Sequence, residues 1–234
     1  MEKTRIISAA LIALGLIIGG AMLPLSVSRL KSYDRTVDVK GLCEREVMAD
    51  KCIWPVCFKA VANEYSDILS QMSSNNGAIV KFLKEQGFED SEISIATPKI
   101  SDKFAQEYGG NDRVYRYLGT GVVTVCTKNV DLVLAANEKL SELMSKGIAL
   151  AQDSYENQIV YNFEGLNEIK PEMIEEATRN AREAAEKFAK DSSSRLGKIK
   201  NASQGTFSIE SRDSNTPFIK KVRVVTYVTY YLKK

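Results

Sequence analysis

The chain contains no histidine. That absence removes Ser-His-Asp and Cys-His nucleophile arrangements and every histidine-ligated metal site. Any catalysis would run on Lys, Cys, Tyr or carboxylates alone, so most hydrolase chemistries are excluded. No catalytic residue, metal ligand or cofactor is assigned, and the chain reads as a non-enzymatic protein. There is no C-x-x-C either, and the four cysteines show no metal-ligand spacing. An excess of one charge is also missing: 32 Lys and Arg nearly balance 30 Asp and Glu, interspersed along the chain. Without a basic tract to follow phosphates, no nucleic acid is expected as a partner.

What is present is the composition of a folded protein, 44% hydrophobic and 26% charged over 234 residues. Lys3 and Arg5 precede an uncharged apolar run from Ile6 to Leu23, ended by Pro24. Its length suits a single membrane helix better than the shorter apolar core of a signal peptide. Ser26-Val27-Ser28 keeps cleavage open, and no cysteine follows for lipid attachment. The cationic residues before the run place the N-terminus in the cytoplasm, although Arg29, Lys31 and Arg35 follow it. Residues 1–30 are thus expected to be an anchor or signal segment and residues 31–234 an exported domain. In a bacterium the site would be the inner membrane, single-pass, with the C-terminal domain in the periplasm. The alternative is a soluble periplasmic protein after cleavage.

The folded part opens with two alternating runs, Arg35 to Val47 and Cys52 to Phe58, around the polar bend Ala49-Asp50-Lys51. This reads as a β-hairpin. Pro55 cannot donate to a ladder, so its strand is locally an edge or bulged. Asn63 to Gln86 reads as a helix stopped by Gly87, with a weak middle at Ser73-Ser74-Asn75-Asn76-Gly77 where a break would cost little. A strand from Ile93 to Ile100 and a long strand from Tyr115 to Thr127 follow. Val130 to Ser145 is a second helix, Ile159 to Phe163 a short strand, and Pro171 to Leu196 an alanine-striped helix ended by Gly197. Ile199 to Glu210 and Val222 to Leu232 are the last strands. The order strand-helix-strand-strand therefore occurs twice, from Cys52 to Thr127 and from Ile159 to Leu232. The expected fold is α+β and two-layer, these repeated units forming a largely antiparallel sheet behind the N-terminal helix.

Three segments carry a family likeness. VDVKGLCEREVMADKCIWPVCF, KFLKEQGFEDSEISI and EEATRNAREAAEKFAKDSSSRLGKI occur in an order that resembles the SIMPL-domain family. The likeness covers roughly Val37 to Leu232. It implies a bacterial protein of the periplasm or cell envelope. It also implies a part in oxidative stress defence or, as in the ring-forming periplasmic immunogenic branch, self-assembly as a structural, channel-like component. The expected partners are the membrane, through the N-terminal helix, and, as the resemblance implies, an unknown envelope protein and further copies of the chain. Cys43 and Cys52 depart from the family's pattern.

Two sets of candidate residues follow. In an oxidising compartment, Cys43 would bridge to Cys57 if the hairpin bends at Asp50, or to Cys52 with a tighter turn at Val47-Met48. Otherwise Cys43, Cys52, Cys57 and Cys126 are small buried hydrophobes. Pairing would also admit a thiol-based redox protein. An interaction surface would draw on Trp54, Pro55, Tyr115, Tyr117, Tyr227 and Tyr230, unless these are ordinary half-buried strand residues. Gly119-Thr120-Gly121 lies inside a strand, so it marks a bulge or a close contact rather than a nucleotide loop.

Overall fold

The computed structural model describes residues 35–105, 114–151 and 157–233, with positions 13, 15, 17 and 20 before them. The expected anchor or signal segment falls, apart from those four positions, outside the described residues. Among the described residues no helix is long and apolar enough to cross a membrane. The chain divides into two compact units. The larger comprises Glu46–Glu168 and Ile209–Lys221, the smaller Met1–Arg45, Ile169–Ser208 and Val222–Lys234.

The larger unit is built on one long ladder. Strand β2 (Lys51–Ala62) runs antiparallel to β5 (Tyr117–Thr127), from Cys52 opposite Thr127 to Ala62 opposite Tyr117. β3 (Ile93–Ile95) and β4 (Lys99–Asp102) pair with the far edge of β5. β6 (Ala149–Leu150) and β7 (Val160–Asn162) pair with the far edge of β2. Side chains alternate across a strand, so Trp54, Val56 and Phe58 share one face with Val123 and Val125. All five are buried. Helix α1 (Tyr65–Gln86) covers that face with Ile68, Met72, Ile79, Phe82 and Leu83. A Cβ on Gly119 would come within 2.7 Å of the Met72 sulfur, and one on Gly121 would strike the Phe58 ring. The strand glycines thus give α1 its close seat; of the two expectations, bulge or close contact, the register is unshifted here and the contact is what is found.

Two helix expectations change. α1 continues unbroken through Ser73–Gly77, because Met72 and Ile79 on either side are buried in the core and hold the turn between them. The predicted helix from Val130 to Ser145 is two: α2 (Val130–Glu138), capped by the Asn129 side chain on the Leu132 N–H, and α3 (Ser141–Ser145).

The smaller unit repeats the scheme with different parts. Its sheet has the order β1-β10-β8, from β1 (Thr36–Met48), β10 (Ile219–Lys233) and β8 (Arg195–Gln204); β9 (Ser208–Ser211) also pairs with β10. Helix α4 (Leu166–Asp191) starts five residues before the predicted Pro171 and buries Met173, Ala177, Ala181, Ala185 and Ala189. Val39, Val228 and Tyr230 meet Ala181 and Ala185 in a compact cluster. α4 ends where Ser193 turns left-handed (φ 52°) and Ser194 N–H bonds back to the Ala189 carbonyl. Gly197 is not the stop; it lies inside β8, where a Cβ would press on the Tyr231 carbonyl oxygen at 2.7 Å.

The predicted hairpin does not exist. β1 pairs with β10 in one sheet, and β2 pairs with β5, β6 and β7 in the other. The bend between β1 and β2 is held by distant chain instead. Asp50 accepts from the backbone N–H groups of Glu164 and Gly165 at 2.7 and 2.6 Å, and its own N–H bonds the Asn162 carbonyl. This pairing also revises the repeat. In the larger unit β2-α1-β3-β5 pairs in the order β3-β5-β2; in the smaller, β1-α4-β8-β10 pairs as β8-β10-β1. The first strand of the second copy is β1, not the short strand at Ile159–Phe163, whose β7 core joins β2.

The seat of α4 gives a direct test. A Cβ on Gly41 would fall on the Ala177 carbonyl and lie 2.6 Å from the Ala181 nitrogen, both backbone atoms of the helix. Gly41→Ala is therefore expected to destabilise by about 1–3 kcal/mol or more through overpacking. Gly77→Ala, with nothing within 4 Å of the added carbon, is expected to stabilise by about 0.5–1 kcal/mol through helix propensity. Urea unfolding of the two variants checks both signs.

Candidate functional site

The alternation that fills the core of the larger unit also builds its opposite face. Pro55, Cys57 and Lys59 on β2 stand beside Thr120, Val122 and Thr124 on β5. With the 96–99 segment they line a groove of about 560 Å³. Lys59 is directly opposite Thr120, and Thr120 directly opposite Lys99, so two ammonium groups flank one hydroxyl across three adjacent strands. Among the described residues no carboxylate lines the groove and neither lysine is in an ion pair. Among the described residues no strand pairs with the other edge of β2 at Pro55: β7 stops opposite Ile53 and β6 begins opposite Phe58. Its missing N–H leaves no ladder bond unmade there. The groove can receive an anion or an acidic chain, with Pro55 and Val122 as apolar floor.

Cys57 lies under this groove at 2% exposure, and burial pushes its thiol pKa up despite Lys59 and the Asn157 amide, which act the other way. Burial raises Cys43 to about 11, with Glu176 adding to it, and Cys52 to about 12. All four cysteines are free; Cys43, Cys52 and Cys57 are buried and Cys126 is exposed. Because β1 and β2 do not pair, neither cross-strand register that would place Cys43 opposite Cys57 or Cys52 is present. Thiols held protonated are poor nucleophiles. Among the described residues no group of Cys, Asp and Glu could hold a metal ion.

The six residues expected to form an interaction surface are dispersed. Trp54 is fully buried, its ring 6.1 Å from Phe88, and Tyr230 is buried in the cluster under α4. Both lie on the core stripe of their strands, which alternation alone could not orient toward or away from solvent. Pro55 is half-buried in the groove. Tyr115 is exposed, and Tyr117 is half-buried, edge-on to Tyr65 with Arg116 over its ring. Tyr227 is exposed in the smaller unit, with the Lys40 ammonium 5.2 Å from its ring centre; Tyr231 has Lys200 in the same relation at 5.5 Å. Lys59, Thr120 and Lys99 were not singled out from the sequence. The signal for Lys59 was its parity with Pro55, but Lys99 needed the pairing.

The architecture is that of an α+β protein, antiparallel sheets with helices laid on one face. More narrowly, the chain belongs to the SIMPL family, described as proteins of unknown function (DUF541), whose profile matches residues 37–230, from β1 through β10. No curated protein matches the chain.

The thiols make two measurable statements. A thiol reagent at pH 8 is expected to label Cys126 rapidly in the native protein and all four cysteines only in denaturant. Since the folded-state values of Cys43 and Cys52 lie above the unfolded value, their contribution is fully present below the ordinary thiol pKa. It is lost as pH rises through about 11 and about 12. Denaturation midpoints should accordingly fall between pH 9 and 12, and less so in the Cys43→Ala/Cys52→Ala variant.

Proposed function

We propose that this is a membrane-anchored, periplasm-facing SIMPL-domain protein with a non-enzymatic role in envelope or oxidative stress defence. In that role it holds an acidic segment of an envelope partner against the lysine groove. The observation that carries the reading is the Lys59–Thr120–Lys99 row, two cations on one sheet face without a counter-ion among the described residues. Opposite charge on a partner steers encounter and fixes register more than it adds raw affinity, which suits a transient protective contact. The apolar run Ile6 to Leu23 supports the anchor, and the family likeness supports the envelope setting. The thiol-based redox reading gains nothing from the buried, protonated cysteines.

A second reading, self-assembly into a ring or channel-like component, is favoured by β8. It is an edge strand of the smaller unit's sheet, exposed along most of its ten residues. Lys198 and Lys200 on that strand oppose it, since charge on an edge discourages pairing.

Replacing both groove lysines tests the lead reading. With the intact protein in detergent and a fluorescent glutamate-rich peptide as probe, Lys59→Glu/Lys99→Glu is expected to weaken binding at least about tenfold and to abolish its salt dependence. A strain carrying that variant should lose oxidant tolerance to the extent of a deletion. Equal peptide affinity in the variant and the parent would remove the groove from the function.

A further inference from the structure

A second concavity of about 740 Å³ opens in the larger unit, lined from the 211–217 segment, from residues 157–161 and from Asn137 of α2. Its lining offers uncharged hydrogen-bonding groups: Asn137, Gln158, Ser211 and Ser214, beside the edge of Tyr161 and Pro217. The one carboxylate there among the described residues, Asp213, is already occupied. It accepts from Arg212 Nε, from the Thr216 hydroxyl and from the backbone N–H groups of Asn215 and Thr216. These partners, the Thr216 hydroxyl first, hold its carboxyl far below the usual range.

One lining residue, Ser211, meets a buried cation. Lys220 is 9% exposed and donates from Nζ to Ser211 Oγ at 2.9 Å. No carboxylate pairs with it among the described residues, and burial lowers its pKa. A buried charge with only a hydroxyl for company is unfavourable until an anion joins it. The proton bookkeeping adds direction. An ammonium can only donate, so Ser211 Oγ receives from Lys220 and must give its own proton elsewhere. The acceptor it has is the Pro217 carbonyl at 3.4 Å, near the limit of a hydrogen bond. Ser211 is thereby set as a donor toward whatever enters the hollow.

We propose that this hollow binds a sugar acid, a polyhydroxylated molecule with a single carboxylate. The carboxylate sits on Ser211 Oγ with Lys220 behind it, the hydroxyls meet the amides of Asn137 and Gln158, and a C–H face lies on Tyr161 and Pro217. A neutral sugar would leave Lys220 unpaired. A phosphate dianion would find one cation where it needs more, and a simple carboxylic acid would leave the amides unused. The volume lies in the range of small-ligand sites. Neither Lys59 nor Lys99 lines this hollow, although Asn157 borders both it and the groove.

Calorimetric titration of the intact protein in detergent with glucuronate, glucose and acetate tests this. Glucuronate is expected to bind about tenfold or more tightly than either control. Lys220→Met should reduce glucuronate to the level of glucose, and Asn137→Ala should weaken both sugars alike. Should Lys220→Met fail to fold, the exposed Ser211→Ala substitution reads the same contact and should weaken glucuronate alone. Glucuronate binding no tighter than glucose, or unchanged in Lys220→Met or Ser211→Ala, overturns the proposal. Lys59→Glu/Lys99→Glu should leave the glucuronate titration unchanged, so this inference and the groove reading fail separately.

Discussion

The larger unit depends on the β2–β5 ladder, unbroken from Cys52 opposite Thr127 to Ala62 opposite Tyr117. Its register fixes which side chains face α1 and, by the same stroke, which face away. A slip of one residue would put Lys59 and Thr120 under the helix and Phe58 in water. Burial of Trp54, Val56, Phe58, Val123 and Val125 therefore does more than stabilise. It holds Lys59, Thr120 and Lys99 in line on the other face. The groove is a consequence of the core, and its chemistry is as fixed as the core is.

Close approach is the complementary constraint in the smaller unit. There α4 rests on its sheet through a file of alanines and through Gly41, where no side chain fits. An alanine seam buries little area per residue, so its contribution rests on packing density rather than on large apolar surfaces. Val39, Val228 and Tyr230 supply the bulk around it. The two units thus reach one topology by different means. In the larger, big apolar residues of α1 meet glycine-bearing strands; in the smaller, small helix residues meet larger strand residues.

The sequence made the elements and their class legible, and hid their partners. Alternation in Thr36–Phe58 correctly marks two strands, but it carries no information on which strand pairs with which. A short polar bend looks the same whether it closes a hairpin or, as at Asp50, is tied to Glu164 and Gly165 more than a hundred residues away. The same gap explains the repeat, legible as an order of elements and misassigned in its first strand. Trp54 and Tyr230 were misplaced because a strand's apolar stripe does not say whether its tyrosine or tryptophan finds a helix above it. Pro55 was read well because its constraint is local: a missing N–H must meet an unpaired edge, and the gap between β7 and β6 provides one. The lysine row was invisible because Lys59 and Lys99 are 40 residues apart in sequence and become neighbours only through β5.

A chain without histidine has few ways to place reactive protons near neutral pH, and burial raises the pKa of three of its four thiols, Cys43, Cys52 and Cys57. What remains available is fixed charge, and burial gives that charge two different meanings. Lys59 lies exposed on a sheet face, where water already solvates it and an acidic partner gains mainly orientation. Lys220 has lost most of its water and kept one hydroxyl, so an incoming anion relieves a cost that folding left in place. The first arrangement favours contacts that form and dissolve with ionic strength. The second favours a small ligand that fits a defined hollow. Both occur in one unit, and what separates them physically is how much water each cation keeps.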